Sequence, residues 1–317
     1  MNQFKKSLLT LTSVALVMAL NVGSAVAAYP DKPINVVVPY GPGGDSDLST
    51  RVWADAVEKI LGSPVVVINK TGGGGVVGTT FLANAPNDGY TLINAGLGNM
   101  QVSPFFSKTP YTFEDFEPVV KMSSVPLGIV VNADSPYKTF ADFVAAAKAG
   151  SLTQGAWGAS SSGAVLGNII AEQAGYKVRY VHGNTTAESM VALIGGHIDS
   201  AVSFPPAFGP HVKSGKVRVL ALNQKMAEYP NVPTFAELGI KGGFEGWAGI
   251  FAPKGIPPEV LAKLVEASTQ AMTDPAVLKA YANMGANVDF RYGPEWVKDL
   301  KATNEIMKDA AAKAQKN

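Results

Sequence analysis

The chain contains no cysteine. Disulfides, cysteine-ligated metal and a lipid-bearing thiol are therefore excluded, and stability in an oxidising compartment must come from packing. Charge is sparse too: Asp, Glu, Lys and Arg make up 16% of residues, and the only arginines are Arg51, Arg179, Arg218 and Arg291. The formal net charge of +1 becomes −1 without Lys5 and Lys6 (1 − 2 = −1). Such a near-neutral chain carries no electrostatic footprint for nucleic acid, and none is expected as a partner. His182, His197 and His211 are too scattered to form a recognisable metal set. No metal and no cofactor are expected.

A single long apolar run is present, Leu8 to Leu20, behind the positive start MNQFKK and ahead of Ala25-Val26-Ala27. A charged start, an apolar run short of the roughly 20 residues needed to cross a bilayer, and an A-x-A site describe a secretory signal peptide. Residues 1–27 are set apart from the fold, with cleavage expected after Ala27 or Ala28. An anchor helix is the weaker alternative, for the same reason of length.

The remainder alternates short apolar strands with helices of 3.6-residue spacing, broken by glycine and proline. Strands are expected at Ile34–Pro39, Pro64–Asn69 and Thr91–Ala95, with helices over Asp47–Leu61 and Val76–Ala85. A second set runs through strands at 127–131, 155–159, 178–182, 198–204 and 217–222, with helices at 139–149, 161–174 and 187–195. A strand-like Gly246–Phe251 and three helices (257–273, 275–284 and 294–314) then follow. Unbroken apolar strands between helices indicate parallel sheets covered on both faces, hence an α/β fold of two doubly wound, Rossmann-like lobes. The last helices need a sheet to cover, so the chain is expected to leave for its second lobe near Val125 and return near Trp247. That makes residues 28–125 with 247–317 one lobe, 126–246 the other, and two crossings the hinge.

Ligands of such sheets sit beyond the carboxyl ends of the strands, where helix N-termini offer unpaired amides. Five loops qualify: YGPGGDSD (40–47), KTGGGGVVGTT (70–80), AGLGNM (95–100), GASSSGA (158–164) and HGNTTAES (182–189). Gly73, Gly75 and Gly78 satisfy G-x-G-x-x-G, but the acid expected about 20 residues on is missing, and no lysine completes a P-loop. Around Ser160 the second glycine of a nucleophile elbow is replaced by Ser162. The serine run more simply caps a helix. Asp45 and Asp47 form a D-x-D pair without the later ligands of a calcium loop. Asp47 stands four residues before Arg51, at ion-pair spacing, and at a helix start, where a carboxylate is favourable. His182 ends a strand beside the proposed cleft and is read as a pocket wall.

YPDKPINVVVPYGPGGDSD, GSPVVVINKTGGGGVVGTTFLANAPNDGYTL, NVPTFAELGI and GWAGIFAPKGIPPEV, in this order and spacing, resemble the substrate-binding receptors of tripartite tricarboxylate transporters, the TctC-like or Bug-type proteins. The resemblance implies a periplasmic solute-binding protein of the type II-like fold, not an enzyme. Such a receptor closes on a small di- or tricarboxylate and delivers it to membrane permease subunits; a monomer is the simplest expectation. The family's first cleft loop maps onto Tyr40, Gly43, Gly44 and Asp47, with Asp45 and Ser46 inside it. Its glycine loop maps onto Gly73, Gly74 and Gly75, and its serine loop onto Ser160, Ser161 and Ser162. Gly98 and Asn99 of the third loop, and His182, Asn184, Thr185, Thr186 and Phe204 of the second lobe, complete the expected ligand contacts. Where relatives often read Val-Pro-Tyr-Lys-Gly, this chain has YVHGNTTAES, and Asp45-Ser46 replaces a pair of small residues.

Two rival readings use the same residues. A serine hydrolase would require a serine of 160–162 to act as nucleophile, and a receptor domain for a sensor kinase would share fold and pocket. On the receptor reading one carboxylate of the ligand is held by main-chain donors, so the Asp45 and Asp47 carboxylates are expected to point away from it.

Overall fold

The computed structural model describes residues 29–43, 45–156, 161–183, 186–241, 246–284 and 286–314. Strand β1 (Ile34–Val38) leads into helix α1 (Asp45–Leu61), β2 (Val65–Asn69), a tight turn at Gly73–Gly75 and α2 (Val76–Ala83). Strand β3 (Thr91–Gly96) follows, then a wide helical turn over Gly98–Val102, α3 (Ser103–Phe106) and β4 (Phe116–Val125). The next stretch holds β5 (Gly128–Asn132), α4 (Phe140–Ala149), β6 (Leu152–Ala156), α5 (Ser162–Ala174) and β7 (Val178–His182). Helix α6 (Thr186–Ile194), β8 (Ser200–Ser203), α7 (Pro205–Lys213) and β9 (Val217–Leu222) complete it. The chain ends with β10 (Gly246–Pro253), α8 (Pro258–Thr273), α9 (Pro275–Asn283), β11 (Asn287–Arg291) and α10 (Gly293–Ala314).

These strands build two sheets, ordered β11-β4-β10-β3-β1-β2 and β7-β6-β8-β5-β9. Each is a mixed α/β sheet covered by helices. In the first, β2, β1 and β3 run parallel as their βα crossovers require, whereas β10, β4 and β11 join antiparallel. In the second, β7, β6 and β8 are parallel, β9 runs in the same direction, and β5 lies antiparallel between β8 and β9. The all-parallel expectation thus holds for half of the first sheet. Two of its strands, β4 and β11, had no counterpart among the expected ones. β4 reads FEPVVKMSSV, and a proline and a lysine within ten residues hide the pattern. β6 also begins three residues earlier than its expected start.

Trp53, Val57, Leu92, Ile250 and Leu264 fill one face of the first sheet, beneath α1, α8 and α9. The opposite face continues without a break into the second sheet: Leu82, Ile93, Met100 and Trp247 belong to the same apolar cluster as Leu127, Ile129, Phe143 and Ile170. A third cluster, with Met190, Leu193, Ala201 and Phe208, lies under α6 and α7. The chain passes from one sheet to the other between Val125 and Gly128, and Gly246 pairs with Val125 on the way back. The Leu127 amide donates to Asn223 Oδ1 at 2.8 Å, tying the outgoing crossing to the end of β9.

Candidate functional site

The carboxyl ends of β1, β2 and β3 carry the glycine loops, and a buried polar network holds them together. Asp47, at the start of α1, is 2% exposed. Its carboxylate accepts from the Gly43 amide at 2.9 Å, from Arg51 Nε and Nη2 at 3.1 and 2.9 Å, and from Asn69 Nδ2 at 2.9 Å. The Arg51 hydrogen bonds foremost, then the Gly43 amide and Asn69, hold this carboxyl at about 2, against burial, which would raise it. Both oxygens are committed to the loop, so this aspartate organises the turn and cannot also receive a ligand donor without giving one up. Asn69 Nδ2 donates as well to the Tyr40 carbonyl at 3.0 Å. Asn69 was not among the expected site residues. Its signal was in view: a polar amide at the carboxyl end of an otherwise apolar strand, where these sheets place their ligands.

The second knot is Asn99, fully buried. Its Oδ1 accepts from the Gly96 amide at 3.0 Å and from the Tyr40 hydroxyl at 3.4 Å, and its Nδ2 donates to Thr79 Oγ1 at 2.8 Å. The Tyr111 hydroxyl donates to the Asn99 carbonyl at 2.8 Å. One side chain thereby joins the loops after β1 and β3 to the first turn of α2. Burial, with Tyr111 nearby, pushes the Tyr40 phenol above its ordinary value, so it stays protonated and keeps its bond to Asn99. The glycine run serves the same junction. Gly72 to Gly75 all adopt positive φ, and a Cβ on Gly75 would lie 3.0 Å from Asn99 Cβ and 3.3 Å from the Tyr40 hydroxyl. Side chains there would be strained and would collide. Among the described residues no acceptor meets the Gly73 or Gly74 amide.

The second sheet presents α5 to these loops. Ser161 caps it, its Oγ accepting from the Ala164 amide at 3.2 Å, as expected of the serine run. Ser162 begins the helix, and the helix packs against the Gly98–Val102 turn. A Cβ on Gly98 would stand 3.8 Å from the Tyr40 hydroxyl and 3.9 Å from Ser162 Oγ. Hydroxyls from the two sheets thus converge on the point where Gly98 has no side chain. Neither Ser161 nor Ser162 is hydrogen-bonded to a histidine among the described residues.

The other expected contacts are more dispersed. His182 is exposed at the end of edge strand β7, its ring stacked on Tyr180 with centroids 5.6 Å apart. Thr186 starts α6, and Phe204 caps α7, half-buried against the shared core. Ser46 accepts from the Thr50 hydroxyl at 2.5 Å through its carbonyl. Gly44, Ser160, Asn184, Thr185 and the side chain of Asp45 lie outside the described residues. Two hollows occur away from the loops' meeting point: one of about 670 Å³ between α8 and α10, and one of about 600 Å³ beside Val77 and Phe81 of α2. The first is lined by none of the glycine and serine loops, and the second by only Lys70, Val77 and Thr80 of the loop after β2, so neither is assigned the ligand.

Residues 49–316 match the family model described as tripartite tricarboxylate transporter family receptor. The chain is 35% identical over 299 residues to a Cupriavidus necator protein named UPF0065 protein in gbd 5′ region, covering 90% of each. It superposes on a crystal structure of a TctC solute binding protein from Polaromonas with a TM-score of 0.80 at 28% identity, covering 90% of this chain and 99% of that one. It is also similar to MatC from Rhodopseudomonas palustris, solved with bound malate, with a TM-score of 0.74, 26% identity and coverage of 89% and 100%.

Proposed function

We propose, from the premise that this chain belongs to the tripartite tricarboxylate transporter family of receptors, that it captures a small organic acid between its two sheets and hands it to membrane permease subunits. The family consists of periplasmic solute-binding proteins, which bind solute without turning it over. The observation that carries the reading is the convergence of the Tyr40 and Ser162 hydroxyls, from different sheets, beside the bare Cα of Gly98. In this reading a carboxylate there would draw on the two hydroxyls, on the Gly73 and Gly74 amides and on the α5 N-terminus, a donor set that supports anion binding without lysine or arginine. MatC, similar over nearly the whole chain, holds malate, a small dicarboxylate.

The moving units in this reading are residues 28–125 with 247–317 and residues 126–246, and the working unit is a monomer in the periplasm after removal of the leader. A ligand touching loops of both units binds the closed form better and so favours it. Micromolar affinity corresponds to about 8 kcal/mol. Several charge-assisted bonds of about 1.5–3 kcal/mol each, less closure and immobilisation costs, are what such a site has to supply.

The test is a thermal-shift screen of the mature protein against mono-, di- and tricarboxylates, followed by calorimetry on the hits. A ligand at 100 times its dissociation constant is expected to add about 2.7 kcal/mol of stability. Absence of any saturable acid, or ester turnover that disappears in a Ser161→Ala or Ser162→Ala variant, would overturn the reading.

A further inference from the structure

No glycine or serine loop lines the hollow of about 670 Å³ between α8 and α10. Its floor is the start of β4, at buried Val119, because both helices pack on that strand. Leu261 and Val265, four residues apart on α8, make one wall apolar. The other wall is α10. There Pro294, Val297, Lys298 and Lys301 stand at i, i+3, i+4 and i+7, one helix face that begins apolar and turns basic.

Acids that could neutralise this face are engaged elsewhere. Asp299 pairs with Arg291 at 3.4 Å, Glu305 with Lys308 at 3.7 Å, and Glu117 of β4 with Lys254. Glu295, one turn before Lys298, does not line the groove. Lys298 and Lys301 are exposed and have no ion-pair partner among the described residues. Two ammonium groups, one turn apart, therefore border an apolar trough to which Tyr292 adds a ring that is 50% exposed. The lysine stems extend the apolar surface while their heads carry the charge.

We infer that this groove is a second ligand site, taking a single-headed amphipathic acid: one carboxylate on Lys298 and Lys301, an apolar or aromatic body across Leu261 and Val265. A volume of about 670 Å³ lies within the ordinary range of small-molecule sites. One wall offers cations and the other none, so a molecule with one charged end fits in one direction. A second carboxylate would lie against the apolar wall or face Glu117, whose Lys254 is already taken. The ligand class thus differs from the short di- and tricarboxylates proposed for the cleft, and the inference stands whether or not the cleft holds them.

The experiment titrates phenylbutyrate into the mature chain by calorimetry, beside acetate, which keeps the head without the body, and phenylbutanol, which keeps the body without the charge. Phenylbutyrate is expected to bind saturably, with both controls at least about tenfold weaker. The double variant Lys298→Met/Lys301→Met is expected to weaken phenylbutyrate about three- to tenfold, as the loss of two exposed ion pairs would. Its melting temperature should stay near that of wild type, since both positions are on the surface. Lys298→Arg/Lys301→Arg should bind as wild type does, and Val265→Asp, which puts a carboxylate on the apolar wall, should abolish binding. Succinate, the probe of the cleft, should respond alike in wild type and the methionine variant. Phenylbutyrate binding equal in those two proteins, phenylbutanol as tight as phenylbutyrate, parallel losses for phenylbutyrate and succinate, or no saturable binding up to about 10 mM would each overturn the site.

Discussion

Asp47 is a carboxylate in the loop proposed to hold an anion, and four donors already share its charge. Replacing it with asparagine removes the charge-assisted bonds and is expected to cost about 1.5–3 kcal/mol in urea denaturation. Since its folded value of about 2 lies below the ordinary 3.8, its contribution is complete above pH about 4 and is lost as pH falls through 2. The Asp47→Asn variant should therefore show a shallower loss of stability between pH 4 and 2. Gly75 offers a sharper test. With φ at +101° and Asn99 Cβ 3.0 Å from any added carbon, Gly75→Ala should cost more than about 1 kcal/mol and weaken acid binding together. The Asp47–Arg51 pair was readable from spacing, since four residues on a helix is a local distance. Asn69 is not legible in this way, because its partners Tyr40 and Asp47 lie far from it in the chain.

Strands β4 and β11 explain how the first sheet is finished. Lys121 in β4 is 1% exposed, and its Nζ meets Asp289 Oδ2 of β11 at 2.6 Å; Ser124 and Arg291 add further bonds to the same carboxylate. Burial alone would raise the Asp289 carboxyl, yet Lys121, Arg291 and Ser124 together hold it well below the usual range. Asp289→Asn leaves a buried ammonium without its counter-charge and is expected to cost about 3–5 kcal/mol by denaturant titration. The double variant Lys121→Met/Asp289→Leu should recover most of that loss; if it does not, the pair is not what holds the edge strand. Helices were the more legible elements. Helix α5 starts within one residue of expectation, because serine capping is local chemistry. A strand broken by Pro118 and Lys121 carries no such local mark, and only pairing with β10 and β11 makes it one.

Taken together, the two sheets share a continuous apolar cluster at their junction and are linked where Val125 pairs with Gly246. On the proposed receptor reading, closure would bend these few residues. The absence of cysteine permits a clean test. Gly98→Cys with Ser162→Cys places two thiols where a Cβ on Gly98 already comes within 3.9 Å of Ser162 Oγ, close to disulfide reach. Mild oxidation should consume both thiols, block exchange of bound acid measured by calorimetry, and be reversed by reductant in the same sample. Thiols that stay titratable would show that the two loops do not meet in solution.

Composition and local pattern were enough to reveal the alternation of strands and helices, the glycine and serine loops and the family resemblance. Each of these is carried by neighbours a few residues apart, or by motifs that survive as strings. Strand direction, the joining of β10 between β3 and β4 and the knots at Asp47 and Asn99 were decided by the folded chain. They arise from contacts between segments tens to hundreds of residues apart, and no period or spacing along the chain encodes which distant groups will meet.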